Sequence, residues 1–440
     1  MTPNHSARLR ADILQLVRDY AENPADAPAF APGETPVPPS GKVLGARELE
    51  YAVEAVLDGW LTAGRFNAAF EDGLARFLGA GFALSCNSGS SANLLAVSAL
   101  CSPLLQERAL EPGDEVITAA AGFPTTINPI LQNRLIPVFI DAEPPSCNPL
   151  PETVEAAIGP KTRAIILAHT LGNPFAAEEI RAIADKHRLW LIEDCCDALG
   201  STHRGRKTGT FGHIATFSFY PAHHITMGEG GAIFTNDPLL RRAAESLRDW
   251  GRECTCAPGR DNTCGQRFQR QWENLPAGYD HKYVYSHIGY NLKITDMQAA
   301  VGLAQLERLD GFIAARKRNF AILSRALSGL EKFLLLPQAT PESDPAWFGF
   351  PLTLKPEAAA RRVDLLRHLD RHKIGVRLLF AGNITRQPCM QGREYRLSGT
   401  LSGADRIMND TFWIGLHPGL TEEMLDYSAH CLREFFGSES

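Results

Sequence analysis

Six short apolar runs, GDEVITAA (113–120), LIPVFIDA (135–142), TRAIILAHT (162–170), LWLIED (189–194), IATFSFY (214–220) and GAIFTND (231–237), alternate with stretches of helical periodicity. That rhythm constrains the chain more than any other feature, because strands that alternate with helices pair in parallel and are covered on both faces. The expected fold class is α/β, a doubly wound sheet. Helix candidates between the runs include SSANLLAVSALCSPLL (90–105), opened by capping serines, and PFAAEEIRAIADKHR (174–188).

From TDMQAAVGLAQLERL (295–309) the helical pattern continues to about residue 330, and a different alternation begins near WFGFPLTL (347–354). The expected organisation is an N-terminal helical segment (1–35), a large domain (36–330) and a small C-terminal domain (331–440). Residues 251–289 form a long polar stretch containing Gly and Pro, with little periodicity. Such a stretch inside a domain is either functional or disordered.

With 44% hydrophobic and 21% charged residues, the 440-residue chain can bury one large core and a smaller appended one. A net charge of -6 offers no basic excess for nucleic acid or an anionic membrane surface. No run approaches the roughly 20 apolar residues of a membrane span. The N-terminus, MTPNHSARLRADILQLVRDYAENP, shows no uninterrupted apolar core of a secretory signal, so a cytoplasmic location is expected. In a reducing compartment ten cysteines do not form a disulfide framework, and clustered ones call for a metal or redox reading.

Three constellations carry chemistry. In NSGSSANLL (87–95) small polar residues run directly into a helix, where backbone N–H groups, hydroxyls and the helix dipole make a phosphate cradle or, more plainly, a helix cap. LIEDCCDALG (191–200) delivers Glu193, Asp194 and Asp197 to the carboxyl edge of the sheet, where α/β proteins bind ligands. An acid there can hold a pyridinium nitrogen protonated, or simply end a strand. The third is cysteine: GRECTCAPGRDNTCGQ supplies Cys254, Cys256 and Cys264, and with Cys196 the spacing is C-x57-C-x-C-x7-C. Four thiolates suit a [2Fe–2S] cluster. A structural zinc usually shows paired, closer spacings, and unrelated buried cysteines are the third reading.

Taken in order, DGWLTAGRFNAAFE (58–71), NSGSSAN, GFPTTINP (122–129), IEDCCDALG, FSFYPAHHITMGEGG (217–231) and GYNLKITDMQAA (289–300) resemble the nucleotide-sugar aminotransferase family of pyridoxal-phosphate enzymes. The resemblance implies the aspartate-aminotransferase (type I) fold, a large, mostly parallel sheet domain with a smaller α+β domain. It also implies that Ser88, Gly89 and Ser90 with Ser218 hold a cofactor phosphate, that Phe123 stacks on the pyridine ring and that Asp194 pairs with the ring nitrogen. Asn291 matches a residue that reaches the neighbouring subunit's cofactor, which implies a homodimer. Asp197 and Tyr220 match cofactor-pocket positions, Asp197 where relatives commonly carry His or Gln and Tyr220 where many carry His.

The family places its cofactor-bearing lysine where this chain has His223. Imidazole has no primary amine, so the resemblance implies pyridoxamine 5′-phosphate held without a covalent bond and His223 as the base. The plain alternative, a histidine satisfied in a strand-end turn, is kept for His224. PAHHITMGEGG and the cysteine spacing both resemble the iron–sulfur dehydrase branch of this family, in which Cys196, or its neighbour Cys195, would join the three loop cysteines around a [2Fe–2S] cluster. The implied activity is C3 dehydration and deoxygenation of a CDP-4-keto-6-deoxyhexose in 3,6-dideoxyhexose biosynthesis for lipopolysaccharide O-antigen. Electrons would come from an NAD(P)H-fed iron–sulfur flavoprotein reductase. The alternatives are a 4-keto aminotransferase, a cluster-free pyridoxamine-phosphate 3-dehydratase, a TDP-sugar substrate, and a non-catalytic regulator that kept the fold. Arg386 and Tyr290 are polar candidates for sugar contacts.

Overall fold

Side-chain alternation along each strand sorts the central sheet into two faces. Ile166, Ile192 and Ile214 pack with Leu95, Ala96 and Ala99 on one side. Their neighbours Ile165, Leu167 and Leu191 pack with Phe175, Ile180 and Ala184 on the other. The computed structural model describes residues 3–23, 29–79, 81–359 and 361–437, so residues 1–2 and 24–28 of the expected N-terminal segment lie outside the described residues.

The large sheet has eight strands in the order Phe82–Cys86, Gly231–Thr235, Ile214–Ser218, Trp190–Asp194, Thr162–Ala168, Glu115–Ala119, Ile136–Ile140 and Arg396–Leu397. Gly231–Thr235 runs antiparallel to both of its neighbours, and the other pairings are parallel. All six apolar runs of the sequence are strands. Two strands lie outside that rhythm: Phe82–Cys86, and Arg396–Leu397, which reaches the sheet from the C-terminal third of the chain and is too short to show a period. A second, antiparallel sheet of four strands orders Leu334–Leu335, Gly349–Leu354, Thr411–Gly415 and Val376–Leu378.

Local chemistry trims the expected helices. The helix expected over 90–105 spans Gly89–Leu100; a separate 3₁₀ turn, Pro103–Arg108, follows, capped by the Ser102 hydroxyl. Pro103 has no N–H to continue the first helix and suits the start of the second element. The long pattern after residue 295 is two helices, Asp296–Leu306 and Leu309–Ala326. Among the described residues no helix is long and apolar enough to cross a membrane.

The polar stretch 251–289 is closed at its base. A Cβ on Gly251 (φ +84°) would lie 1.9 Å from the carbonyl oxygen of His287, and one on Gly289 would lie 2.2 Å from the Gly251 nitrogen. The two ends of the loop therefore cross where only glycine fits.

Glu193 ties the sheet's carboxyl edge together. Fully buried, it accepts hydrogen bonds from the backbone N–H groups of Gly209 (2.9 Å), Phe211 (2.7 Å) and Gly212, and its Oε2 lies 3.0 Å from His169 Nε2. Glu193→Ala would leave these donors buried without an acceptor, a loss of about 3–5 kcal/mol. We expect its urea midpoint to fall accordingly, with Glu193→Gln intermediate.

Candidate active site

The carboxyl ends of the parallel strands converge on one edge, and the sequence candidates lie along it. Asp194 ends its strand with the same side-chain parity as Ile192, so it faces the helix Gly89–Leu100. Its Oδ2 accepts from Asn93 Nδ2 (2.8 Å) and Thr126 Oγ1 (2.7 Å), and Oδ1 accepts from the backbone N–H of Cys196 (3.1 Å). Asn93 is itself oriented by Thr216, whose hydroxyl donates to its Oδ1 at 2.6 Å. A carboxylate gripped by three donors keeps one orientation, as a partner for a ring nitrogen must. Asn93 and Thr126 were not among the sequence candidates; both lie inside the quoted motifs NSGSSAN and GFPTTINP, where their polarity was the available signal.

Ser88 caps the helix Gly89–Leu100, its side chain accepting from Ser91 N, and Ser90 is exposed at the first turn. A Cβ on Gly89 would sit 2.5 Å from Ser218 Cβ, 2.9 Å from Ser218 Oγ and 3.0 Å from Cys196 Sγ. Glycine is thus what lets the start of this helix close on the end of the strand Ile214–Ser218. Asn87 Oδ1, on the same edge, is buried with no hydrogen-bond partner among the described residues. Phe123 precedes the helix Pro124–Gln132, is 49% exposed, and meets Phe380 edge-on at 5.5 Å. Tyr220 is 52% exposed. A free aromatic face, a helix N-terminus with a capping serine, a fixed carboxylate and an orphaned buried polar atom together fit a pyridoxamine phosphate.

His223 follows the strand Ile214–Ser218 and lies 3.5 Å from Asp197, Nδ1 to Oδ1. That gap is too long for a good hydrogen bond, and Nδ1 is buried without a partner among the described residues. Burial first, then the charge of Arg316, push the imidazole down to about 4. Burial, then the neighbouring Asp194, push the Asp197 carboxyl up to about 8. Between these limits both groups are uncharged. His224 is buried, with Nε2 2.5 Å from the Ala346 carbonyl oxygen, in keeping with a structural role.

The structure gathers the loop cysteines but not Cys196. Sγ of Cys254, Sγ of Cys256 and a ring nitrogen of His281 lie within 4.8 Å of one another, and Cys264 Sγ is 3.6 Å from His281 Nε2. A hydrogen bond from Thr263 leads the effects that lower Cys256 to about 6, whereas burial raises Cys254. Cys196 turns instead toward Gly89, and burial followed by the Asp194 charge pushes its thiol well above the usual range. Cys195 is fully buried with Phe217 and Phe219 in a separate apolar cluster. The donor chemistry of the loop fits a thiolate-bound metal centre. His281, which no spacing in the sequence marks, stands beside it. Asn291 is exposed and bonded to Lys293 Nζ at 2.7 Å. Arg386 pairs with Asp405 at 2.7 Å, and the Tyr290 hydroxyl lies 3.3 Å from Ser98.

Asp197 gives a pH test on the ligand-free protein. Its folded pKa lies above its unfolded value near 3.9, so the folded state binds the extra proton and loses stability as pH rises from about 4 to 8, by up to about 1.4 kcal/mol per unit. We expect Asp197→Asn to flatten this slope, gaining stability over the parent at pH 8 more than at pH 5 in parallel urea titrations.

The chain is similar to known proteins over nearly its whole length. The chain is 60% identical over 437 residues to the lipopolysaccharide biosynthesis protein RfbH of Salmonella typhimurium, covering 99% of each chain. It is 54% identical over 428 residues to a dTDP-4-dehydro-2,6-dideoxy-D-glucose 3-dehydratase of Saccharopolyspora spinosa, covering 97% of this chain and 92% of that one. Among solved structures, a GDP-4-keto-6-deoxy-D-mannose-3-dehydratase of E. coli with bound hydrated PLP superposes with a TM-score of 0.80 at 26% identity, over 90% of this chain and 99% of that one. The aminotransferase fold expected from the motifs is therefore the fold of this chain. The sequence profile of the DegT/DnrJ/EryC1/StrS aminotransferase family matches residues 43–433, and the chain belongs to that family.

Proposed function

We propose that the protein is a pyridoxamine-phosphate-dependent enzyme that removes the C3 hydroxyl of a CDP-4-keto-6-deoxyhexose, on the way to a 3,6-dideoxyhexose of the lipopolysaccharide O-antigen. The observation that carries the proposal is His223, half-buried beside Asp197 at the position that, by the resemblance, the family fills with lysine. An aminotransferase needs the primary amine of that lysine. A dehydrase needs a base there.

When bound, pyridoxamine phosphate supplies the amine that joins a 4-keto sugar and a ring that draws electrons out of neighbouring bonds. The chain's own residues do the rest. Gly89 and Ser90, with Ser218, bind the phosphate at the start of the helix Gly89–Leu100, and Phe123 covers the ring. Asp194, fixed by Asn93 and Thr126, offers its carboxylate to the ring nitrogen. His223 turns Nδ1 toward Asp197 and takes up a proton at Nε2. Tyr220 borders the pocket.

Cys254, Cys256 and Cys264, completed by Cys196, would hold a [2Fe–2S] cluster through four thiolates. Deoxygenation consumes two electrons that neither the base nor the amine provides; a cluster held there would supply one-electron chemistry, with an NAD(P)H-fed iron–sulfur flavoprotein reductase as the source of electrons. Completing the set requires the loop to close on Cys196, which lies under Gly89. The enzyme acts in the cytoplasm as a homodimer in which Asn291 serves the partner's site. A dTDP sugar is the second reading of the substrate, favoured by the name of the 54% identical relative.

The decisive experiment is mass analysis of the sugar after anaerobic incubation with pyridoxamine phosphate, a CDP-4-keto-6-deoxyhexose, NADH and a ferredoxin-type reductase. We expect loss of one oxygen that depends on the reductase. Gain of an amino group when glutamate is supplied would establish an aminotransferase, and oxygen loss without the reductase would establish a cluster-free dehydratase. We further expect Cys256→Ala to lose its iron while still exchanging the C4′ hydrogen of pyridoxamine phosphate with solvent, as followed by NMR in D₂O.

A further inference from the structure

The helix Leu309–Ala326 buries Phe312, Arg316, Asn319 and Leu323 along one stripe, so an arginine occupies a core position of an amphipathic helix. Arg316 is fully buried, the largest such side chain among the described residues. Its hydrogen-bond partners are all main-chain carbonyls. Nη1 donates to Trp347 (3.3 Å) and Phe348 (3.0 Å), Nη2 donates to Ala222 (3.3 Å) and His223 (3.2 Å), and Nε has no partner. Neutral carbonyls offset the desolvation of a cation only in part, and a Leu or Met at this depth would fold at least as well. What an apolar side chain lacks is the rigid planar fork, which reaches two segments at once.

Those segments are the two walls around the imidazole of His223. One carries His223 itself. The other carries Phe348, whose ring lies 5.1 Å from the imidazole and packs edge-on against Trp413 at 5.4 Å. The second wall is anchored independently: Phe348 N donates to Leu171 O (2.7 Å), and Ala346 N donates to Ser201 Oγ (2.9 Å). The first wall is a turn after the strand Ile214–Ser218, and it meets the second directly through His224 and Ala346. Arg316 supplies the remaining tie at the residue that matters.

We infer that Arg316 is a positioning residue: by holding the carbonyls of Ala222 and His223 against those of Trp347 and Phe348, it fixes where the His223 ring stands. This rests on the reading of His223 as the base. Proton transfer is steep in distance, so a displacement of about 1 Å costs roughly a hundredfold.

The test uses the full-length protein with pyridoxamine phosphate and measures two quantities, cofactor affinity and the rate of C4′ hydrogen exchange with D₂O. Arg316→Lys keeps the charge but cannot span both pairs of carbonyls. We expect its exchange rate to fall roughly tenfold or more while the Kd for pyridoxamine phosphate stays within about twofold, and amide exchange by mass spectrometry to rise at 220–225 and 346–349. Arg316→Gln, uncharged, is expected to behave the same way. Wild-type C4′ exchange in either variant, even with a lowered Tm, would reduce Arg316 to a stabilising contact and overturn the inference. So would failure of both variants to fold. His223→Gln separates the two claims: if it exchanges at the wild-type rate, the base reading itself fails, whereas a dead His223→Gln beside a fully active Arg316→Lys sinks only the inference.

Discussion

Two adjacent carboxylates end the strand Trp190–Asp194, and the pleat sends them to opposite faces of the sheet. Both are buried, so each must find donors or unfold its surroundings. Glu193 draws in the backbone of 209–212 and His169, on the face packed by Phe175 and Leu191. Asp194 draws in Asn93 from the helix Gly89–Leu100 and Thr126 from the helix Pro124–Gln132. One strand end thereby fixes the loop beneath it and the two helix starts beside it. The candidate site lies around that end, with the close approach of Gly89 and Ser218, Phe123 before the helix Pro124–Gln132, and the turn to Asp197.

Electrostatics around His223 follows from burial more than from pairing. Asp197 remains uncharged up to about pH 8 and His223 down to about pH 4, so a 3.5 Å contact that would be an ion pair in water is a contact of neutral groups here. Arg316 contributes a nearby positive charge whose hydrogen bonds all go to backbone, which disfavours a second cation on His223. The helix that carries Arg316 also carries Asn319, which donates to the carbonyls of Leu416 and His417. One helix face thus holds several backbone segments together through polar side chains sunk in an apolar stripe.

The cysteine loop is built on different terms. Of its residues only Gly251, His281 and Val284 are buried, and its order comes from the glycine crossing at its base, from the Arg267–Asp280 pair at 2.7 Å and from bonds such as Glu253 N to Val284 O at 2.9 Å. Such a segment opens at low cost compared with the core. That suits a loop whose thiols converge on one another and on His281 while Cys196 remains at the sheet edge.

The sequence by itself determined six of the eight strands of the large sheet, because buried strands require apolar runs and their helices require periodicity, and both are local signals. It also marked Asp194, His223 and the loop cysteines as candidates, through motifs that resemble those of a known family. Neither Asn93 nor Thr126 could be recognised as partners of Asp194, since 101 and 68 residues separate them from it. Arg316 looked like any other basic residue in ARKRNF until the fold buried it. His281 and the short edge strand Arg396–Leu397 gave no periodic or spacing signal at all. Tertiary structure alone decided these, because hydrogen bonds and burial join residues through space, and a side chain's role changes when the water around it is removed.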